Sequence, residues 1–154
     1  MKNNDLKVKD DNVTMEAKKL LWAALLKQAE NGDARAQIMV GELYYEGVDV
    51  EQNYAEALKW YSRAAEQGDA KAQFHIGYMF YFGEGCVKDI SQALKWYLLS
   101  AEQGYAAAQD SLGAMYHYGL GVKENRDEAI KWYRKAAEQG SESAQNMLNL
   151  LLDD

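Results

Sequence analysis

Residues 69–104 read DAKAQFHIGYMFYFGEGCVKDISQALKWYLLSAEQG, and at an offset of 36 the same pattern recurs without a gap at 33–68 and 105–140. Lys95-Trp96-Tyr97 aligns with Lys59-Trp60-Tyr61 and Lys131-Trp132-Tyr133. Ala101-Glu102-Gln103-Gly104 aligns with Ala65 to Gly68 and Ala137 to Gly140. The chain has 4 tryptophans in 154 residues, and three of them share one column, which chance does not produce. A half-copy ending Ala29-Glu30-Asn31-Gly32 precedes the array. Ala144-Gln145, matching Ala36-Gln37, Ala72-Gln73 and Ala108-Gln109, opens another half after it. This period is that of helical-hairpin repeats.

Each copy reads as two helices. Ala57, Leu58, Trp60, Tyr61, Ala64 and Ala65 form one broad apolar stripe at helical spacing. Asn53 with Glu56, Asp89 with Gln92 and Asn125 with Glu128 have the form of capping boxes. In these the first residue accepts from orphan N–H groups and the third-on residue reaches back to the cap N–H. Gly68, Gly104 and Gly140 stop that helix. Ala36, Val40, Tyr44 and Gly47 mark the face of the other helix, with Asp33, Asp69 and Ser141 as its caps and Tyr105 breaking the cap column. Gly41, Gly77 and Gly113 fall in mid-helix, where Gly costs about 1 kcal/mol against Ala, so close approach of a neighbouring helix is expected there. Strand-like alternation is absent, and the fold expected is all-α. The boundaries predicted are a polar, flexible tail at 1–13, a capping helix at 14–32, repeats at 33–68, 69–104 and 105–140, and a capping helix at 141–154.

Composition narrows the function classes. Proline is absent where about eight would be usual in a chain this long, so Gly, Asn and Asp must punctuate the elements. The 17 basic residues are outnumbered by 24 acidic ones, a net charge of −7, which argues against nucleic acid and anionic membrane surfaces as partners. The single cysteine, Cys86, cannot form an internal disulfide. The polar start at 1–12 lacks a signal-peptide core, and the apolar run at 20–26 is too short to span a membrane, so a cytoplasmic location is expected unless an export signal was trimmed.

The motif Ala-x-Ala-Gln-x-x-x-Gly-x-x-Tyr/Phe-x-x-Gly, a short loop, then Ala-Leu-Lys-Trp-Tyr and Ala-Glu-Gln-Gly, as in Ala70 to Gly83 and Ala93 to Gly104, resembles the Sel-1-like repeat family, a relative of tetratricopeptide repeats. The resemblance covers about 20–152. It implies a right-handed superhelical solenoid of antiparallel hairpins, used as an adaptor or scaffold for other proteins, with no chemistry of its own. Some secreted relatives carry a cysteine pair in each repeat and have been described as penicillin-binding or β-lactamase-like; Cys86 alone is a poor match to them.

The side chains themselves carry little chemistry. Trp60, Trp96 and Trp132 read as core shared between repeats rather than a ligand platform. His75 and His117 occupy different columns with no ligand spacing around them, so no metal and no cofactor are expected. Cys86 stands in the loop column of Val50 and Val122, a small hydrophobe first. Glu66, Glu102 and Glu138 lie a repeat apart and form no acid/base dyad, and no phosphate loop or nucleophile elbow is present. The chain is therefore read as a non-enzyme.

Function should lie where the copies differ. By analogy with tetratricopeptide geometry, the first helix of each copy lines a concave groove through the columns of Ile38, Glu42 and Tyr45. Copy two places Phe74, Tyr78 and Tyr81 there with Phe82 adjacent; copy three places Asp110, Ala114 and His117 with Tyr118 adjacent; the last half-copy offers Asn146. The groove expected has an aromatic centre and carboxylates, Glu42 and Asp110, toward its ends, and binds a protein or peptide segment. Tyr44, Phe80 and Tyr116, one column over, are expected to pack between hairpins. The alternatives are an inhibitor or immunity-type protein that neutralises an effector enzyme and, further back, a β-lactam or cell-wall hydrolase. The exposed faces of the capping helices are a candidate homodimer contact.

Overall fold

Asn53, Asp89 and Asn125 each accept a hydrogen bond from the backbone N–H three residues on, at 3.0, 2.9 and 3.1 Å, and so start a helix where the sequence places one. The other half of the capping box is not formed. The cap residue's own N–H is donated to the carbonyl of Tyr44, Phe80 or Tyr116 at 2.8, 2.9 and 2.9 Å. The connection folds back against the end of the preceding helix, and a fixed carbonyl takes the donor from a mobile side chain. Glu56 and Glu128 turn instead to Lys59 and Lys131, at 3.4 and 3.2 Å.

The computed structural model describes residues 3–153, with side chains from Thr14 onward. The helices run α1 Asn3–Glu30, α2 Ala34–Glu46, α3 Tyr54–Glu66, α4 Ala70–Phe82, α5 Ile90–Glu102, α6 Ala106–Tyr118, α7 Arg126–Glu138 and α8 Glu142–Asp153. No strand occurs among the described residues. Three hairpins, α2/α3, α4/α5 and α6/α7, stack in chain order with α1 and α8 on their ends, and each helix packs on its neighbours in sequence. No described helix is long and apolar enough to cross a membrane.

α1 begins at Asn3, ahead of the expected start at Thr14. No Gly or Pro interrupts the chain before Gly32, so nothing stops the helix from extending toward the N-terminus. Of the tail expected at 1–13, Met1 and Lys2 lie outside the described residues.

The mid-helix glycines make room for tyrosine rings. A Cβ built on Gly41, Gly77 or Gly113 would lie 2.7, 2.7 or 2.5 Å from ring carbons of Tyr61, Tyr97 or Tyr133. Each of these rings lies on the second helix of the same hairpin and is buried to 3% exposure or less. Gly113→Ala is expected to destabilise the protein by about 1–2 kcal/mol in urea unfolding, because overpacking against an immobile ring outweighs the gain in helix propensity of about 1 kcal/mol. A stabilised variant would mean the ring has room to move.

Two polar columns tie the helices of each hairpin to each other and to the helix before them. Gln67, Gln103 and Gln139 donate through Nε2 to Oε1 of buried Gln37, Gln73 and Gln109 at 2.8, 2.7 and 2.7 Å. Gln37 and Gln109 pass the bond on to the carbonyls of Ala29 and Ala101 at 2.9 and 3.1 Å. The buried amides are thus satisfied across helices, the condition for burying them at all. Gln145 donates to Asn149 Oδ1 at 2.8 Å.

Each tryptophan of the repeated column packs where its own hairpin meets the helix before it. Trp60 clusters with Ala29 of α1 and with Ala36 and Val40 of α2, Trp132 with Ala101 of α5 and with Ala108, Leu112 and Met115 of α6, and Trp96 packs against the cluster that joins the first two hairpins. Tyr44, Phe80 and Tyr116 each bridge two successive clusters and pack between hairpins. Tyr105, which has no oxygen near enough to its Cα to cap α6, leaves that helix without a side-chain cap and stacks its ring 5.3 Å from Phe74.

Candidate functional site

α2, α4, α6 and α8 lie along one side of the stack, and a furrow runs between each successive pair. The first furrow, about 400 Å³, is bounded by Arg35, Ile38, Met39 and Glu42 of α2 with Asp69 and Lys71 at the start of α4. The second, about 230 Å³, holds Phe74, Tyr78, Tyr81 and Phe82 of α4 against Ser111, Ala114 and Met115 of α6, with Tyr97 and Leu120. The third, about 320 Å³, is lined by Asp110, Ser111, Ala114 and Tyr118 of α6 and by Ser143 and Met147 of α8, with Tyr133. Ser111 and Ala114 belong to both the second and the third, so these two are continuous.

The four rings of copy two come together as one wall. Phe74, Tyr78 and Phe82 recur at i, i+4 and i+8 on α4 and form a chain of ring contacts at 6.4 and 4.5 Å, with Tyr81 4.9 Å from Phe82. Phe82 is 52% exposed, while Phe74, Tyr78 and Tyr81 are half-buried with one face on the furrow. Tyr45 stands at the junction of the first two furrows, near Tyr54 and Tyr78, and donates to Glu84 Oε2 at 2.7 Å. Burial first, and the Glu84 carboxylate second, hold its phenol above the ordinary tyrosine range.

The acidic ends are unlike each other. Glu42 is tied to Lys71 Nζ at 2.5 Å, which also holds the Lys71 ammonium above its usual range, so its charge is largely cancelled within the groove. Asp110 meets only Ser141 Oγ, at 3.4 Å, and no cation pairs with it among the described residues. Ile38, 6% exposed, belongs to the core and forms the floor of the first furrow. His117 is half-buried, edge-on to Tyr118 at 4.3 Å. Asn146 is exposed on α8, and the side chains of α8 that line the third furrow are Ser143 and Met147.

His75 sits behind the first furrow, stacked on Tyr61 at a ring separation of 4.6 Å and an interplanar angle of 6°. Its Nε2 is 3.8 Å from Glu42 Oε1, beyond hydrogen-bond reach, and has no partner. Burial pushes its pKa down to about 4, against the opposing pull of Glu42. It is therefore neutral, and the contact with Glu42 is not an ion pair. Among the described residues no three His, Cys, Asp or Glu side chains converge as metal ligands. Cys86 is half-buried, its thiol pushed up by burial and by Glu84, 3.6 Å from the Met79 carbonyl.

Of the two residues that open the second furrow, Ala114 stands in a groove column and Ser111 does not. Ser111 and Ala114 stand in the columns of His75 and Tyr78, so a drop in side-chain volume in one copy marks the place.

The family model described as Sel1 repeat matches residues 34–69, 70–105 and 106–141. Among solved structures, a Sel1 repeat protein from Oxalobacter formigenes is 41% identical with a TM-score of 0.77, over 80% of this chain and 49% of that one. The protein c5321, a protective antigen present in uropathogenic Escherichia coli strains and displaying an SLR fold, is 42% identical with a TM-score of 0.78, over 80% of this chain and 26% of that one. The chain thus spans about half of the first and about a quarter of the second. Helicobacter pylori cysteine-rich protein B, 24% identical with a TM-score of 0.66 over 81% of this chain and 95% of that one, shares the fold. No curated protein sequence matches the chain.

Proposed function

Because the chain belongs to the Sel1 repeat family, whose repeats generally serve as protein-interaction scaffolds, we propose that it is a non-catalytic adaptor that binds a segment of another protein along the concave furrows. The observation that carries this reading is the wall of Phe74, Tyr78, Tyr81 and Phe82. Large rings, each presenting part of its surface to solvent and rimmed by polar groups, are what binding hot spots are made of. A packing role alone would leave no reason for four aromatics to gather on one side of α4 when α2 and α6 carry mixed side chains at the same columns.

Affinity purification from the native organism, with the wild type and with Phe74→Ala combined with Tyr81→Ala, tests it. Loss of two hot spots worth about 2 kcal/mol each should weaken binding by on the order of 100-fold or more. If the partner binds unchanged while thermal unfolding drops sharply, the rings are core and the site lies elsewhere. A tight one-to-one complex with an enzyme that loses its activity on binding would make the protein an inhibitor instead of an adaptor.

A further inference from the structure

The second furrow owes its existence to two small residues. At the columns of Ser111 and Ala114, α4 carries His75 and Tyr78 and α8 carries Met147 and Leu150. Only between α4 and α6 does a wall of rings face side chains too short to fill the gap, and the space left is about 230 Å³, lined almost wholly by apolar atoms. That lies below the size of small-molecule and cofactor pockets, about 300–1,000 Å³, and suits one bulky side chain.

The neighbouring third furrow has the opposite character. It carries the Asp110 carboxylate, the 60% exposed ring of Tyr118 and no basic residue. In the first furrow Lys71 neutralises Glu42; in the third, the column of Lys71 is occupied by Ser143, so Asp110 is left without a counter-charge. An unpaired carboxylate in an open furrow is a site for a cation, and the net charge of −7 favours approach of a basic segment.

On the reading that the furrows bind a peptide, we infer that the occupant is an extended segment with one bulky apolar side chain seated between α4 and α6 and one Lys or Arg paired with Asp110. Asp110 lies in the furrow next to the pocket, and the two furrows share Ser111 and Ala114, so in an extended chain the basic residue lies a few positions from the apolar anchor, on one side of it only. The volume comes from Ser111 and Ala114, and the sign of the flanking charge from Asp110.

Panning a displayed library of random peptides on the wild-type protein, followed by anisotropy measurements on the enriched peptides, tests the assignment. Ala114→Tyr, which places in α6 the residue α4 tolerates at that column, fills the pocket; Ala114→Leu, the residue of α8, does so with less bulk should the first variant fail to fold. The expected result is enrichment of a bulky apolar residue with Lys or Arg a few positions away on one side, and a loss of at least about tenfold in affinity in either variant. Asp110→Asn should weaken the same peptides about three- to tenfold and flatten their salt dependence. Peptides lost on Phe74→Ala with Tyr81→Ala but indifferent to the Ala114 variants, or enriched without a basic residue, overturn this occupant and leave the groove reading standing. Peptides indifferent to every variant overturn the groove reading as well, and failure to enrich any peptide overturns the occupant.

Discussion

Trp132→Ala should lower the free energy of unfolding by about 3–5 kcal/mol, the cost of emptying a buried site of that size. Trp132 is 5% exposed and packs against Ala101, Ala108, Leu112 and Met115, so the hole opens between repeats two and three. In an array that is stabilised repeat by repeat and interface by interface, this loss falls on one junction. Urea unfolding followed by circular dichroism should therefore become broader or biphasic, with α6, α7 and α8 released first. Trp132→Phe should retain more than half of the lost stability. It keeps most of the buried ring and removes an indole N–H that has no hydrogen-bond partner. A loss below about 1 kcal/mol for the alanine variant would remove this column from the core.

Acid should destabilise the protein through His75. Its pKa is about 4 in the folded chain against 6.5 for an ordinary histidine. Above pH 6.5 the ring is neutral in both states and contributes no pH dependence. Between 6.5 and 4 the unfolded chain takes up a proton that the folded chain refuses, so stability falls as pH falls. The loss accumulates to about 3 kcal/mol at the lower end, at about 1.4 kcal/mol per unit of pKa. The charged and titratable groups facing the ring are Glu42 from α2, Tyr61 from α3, and Lys71 with Asp69 at the start of α4. Glu42 and Asp69 favour the protonated ring and Lys71 opposes it, while burial outweighs them all. His75→Met places there the residue found at the same column in α2 and α8, Met39 and Met147. Denaturant titrations of both proteins across this range should show the difference in their stabilities shifting by about 3 kcal/mol in favour of the variant as the pH is lowered. Parallel curves would mean that His75 protonates in place.

Much of the architecture was readable before any coordinate. The 36-residue offset set the number of hairpins, and the Asn and Asp caps set where α3, α5 and α7 begin. The Trp column announced itself as core because a ring repeated in register has to meet the same neighbours in every copy. The mid-helix glycines pointed to a close approach, and the rings of Tyr61, Tyr97 and Tyr133 supply it. Two local features were read only in part. The capping box predicts a side chain that reaches back, but the fold supplies a nearer carbonyl. The Gln columns were visible as pattern, while their pairing across helices required each hairpin to close.

The groove divides along the same line. Comparing the copies picked out Phe74, Tyr78, Tyr81 and Phe82 because a helix keeps residues three and four apart on one side, a spacing the chain itself encodes. Which residues face them across a furrow depends on how far apart the packed backbones hold the next helix and on the volume of each opposing side chain. That is why Ile38 is core, why Glu42 is neutralised by Lys71, and why Ser111 and Ala114 leave open a pocket against the rings of α4. The sequence alone determined an all-helical array of stacked hairpins and the column of each side chain, through the period of the helix and of the repeat. The tertiary structure decided which charges stay free and where space remains, because Coulomb attraction and exclusion of volume act across helices at distances that the linear order does not specify.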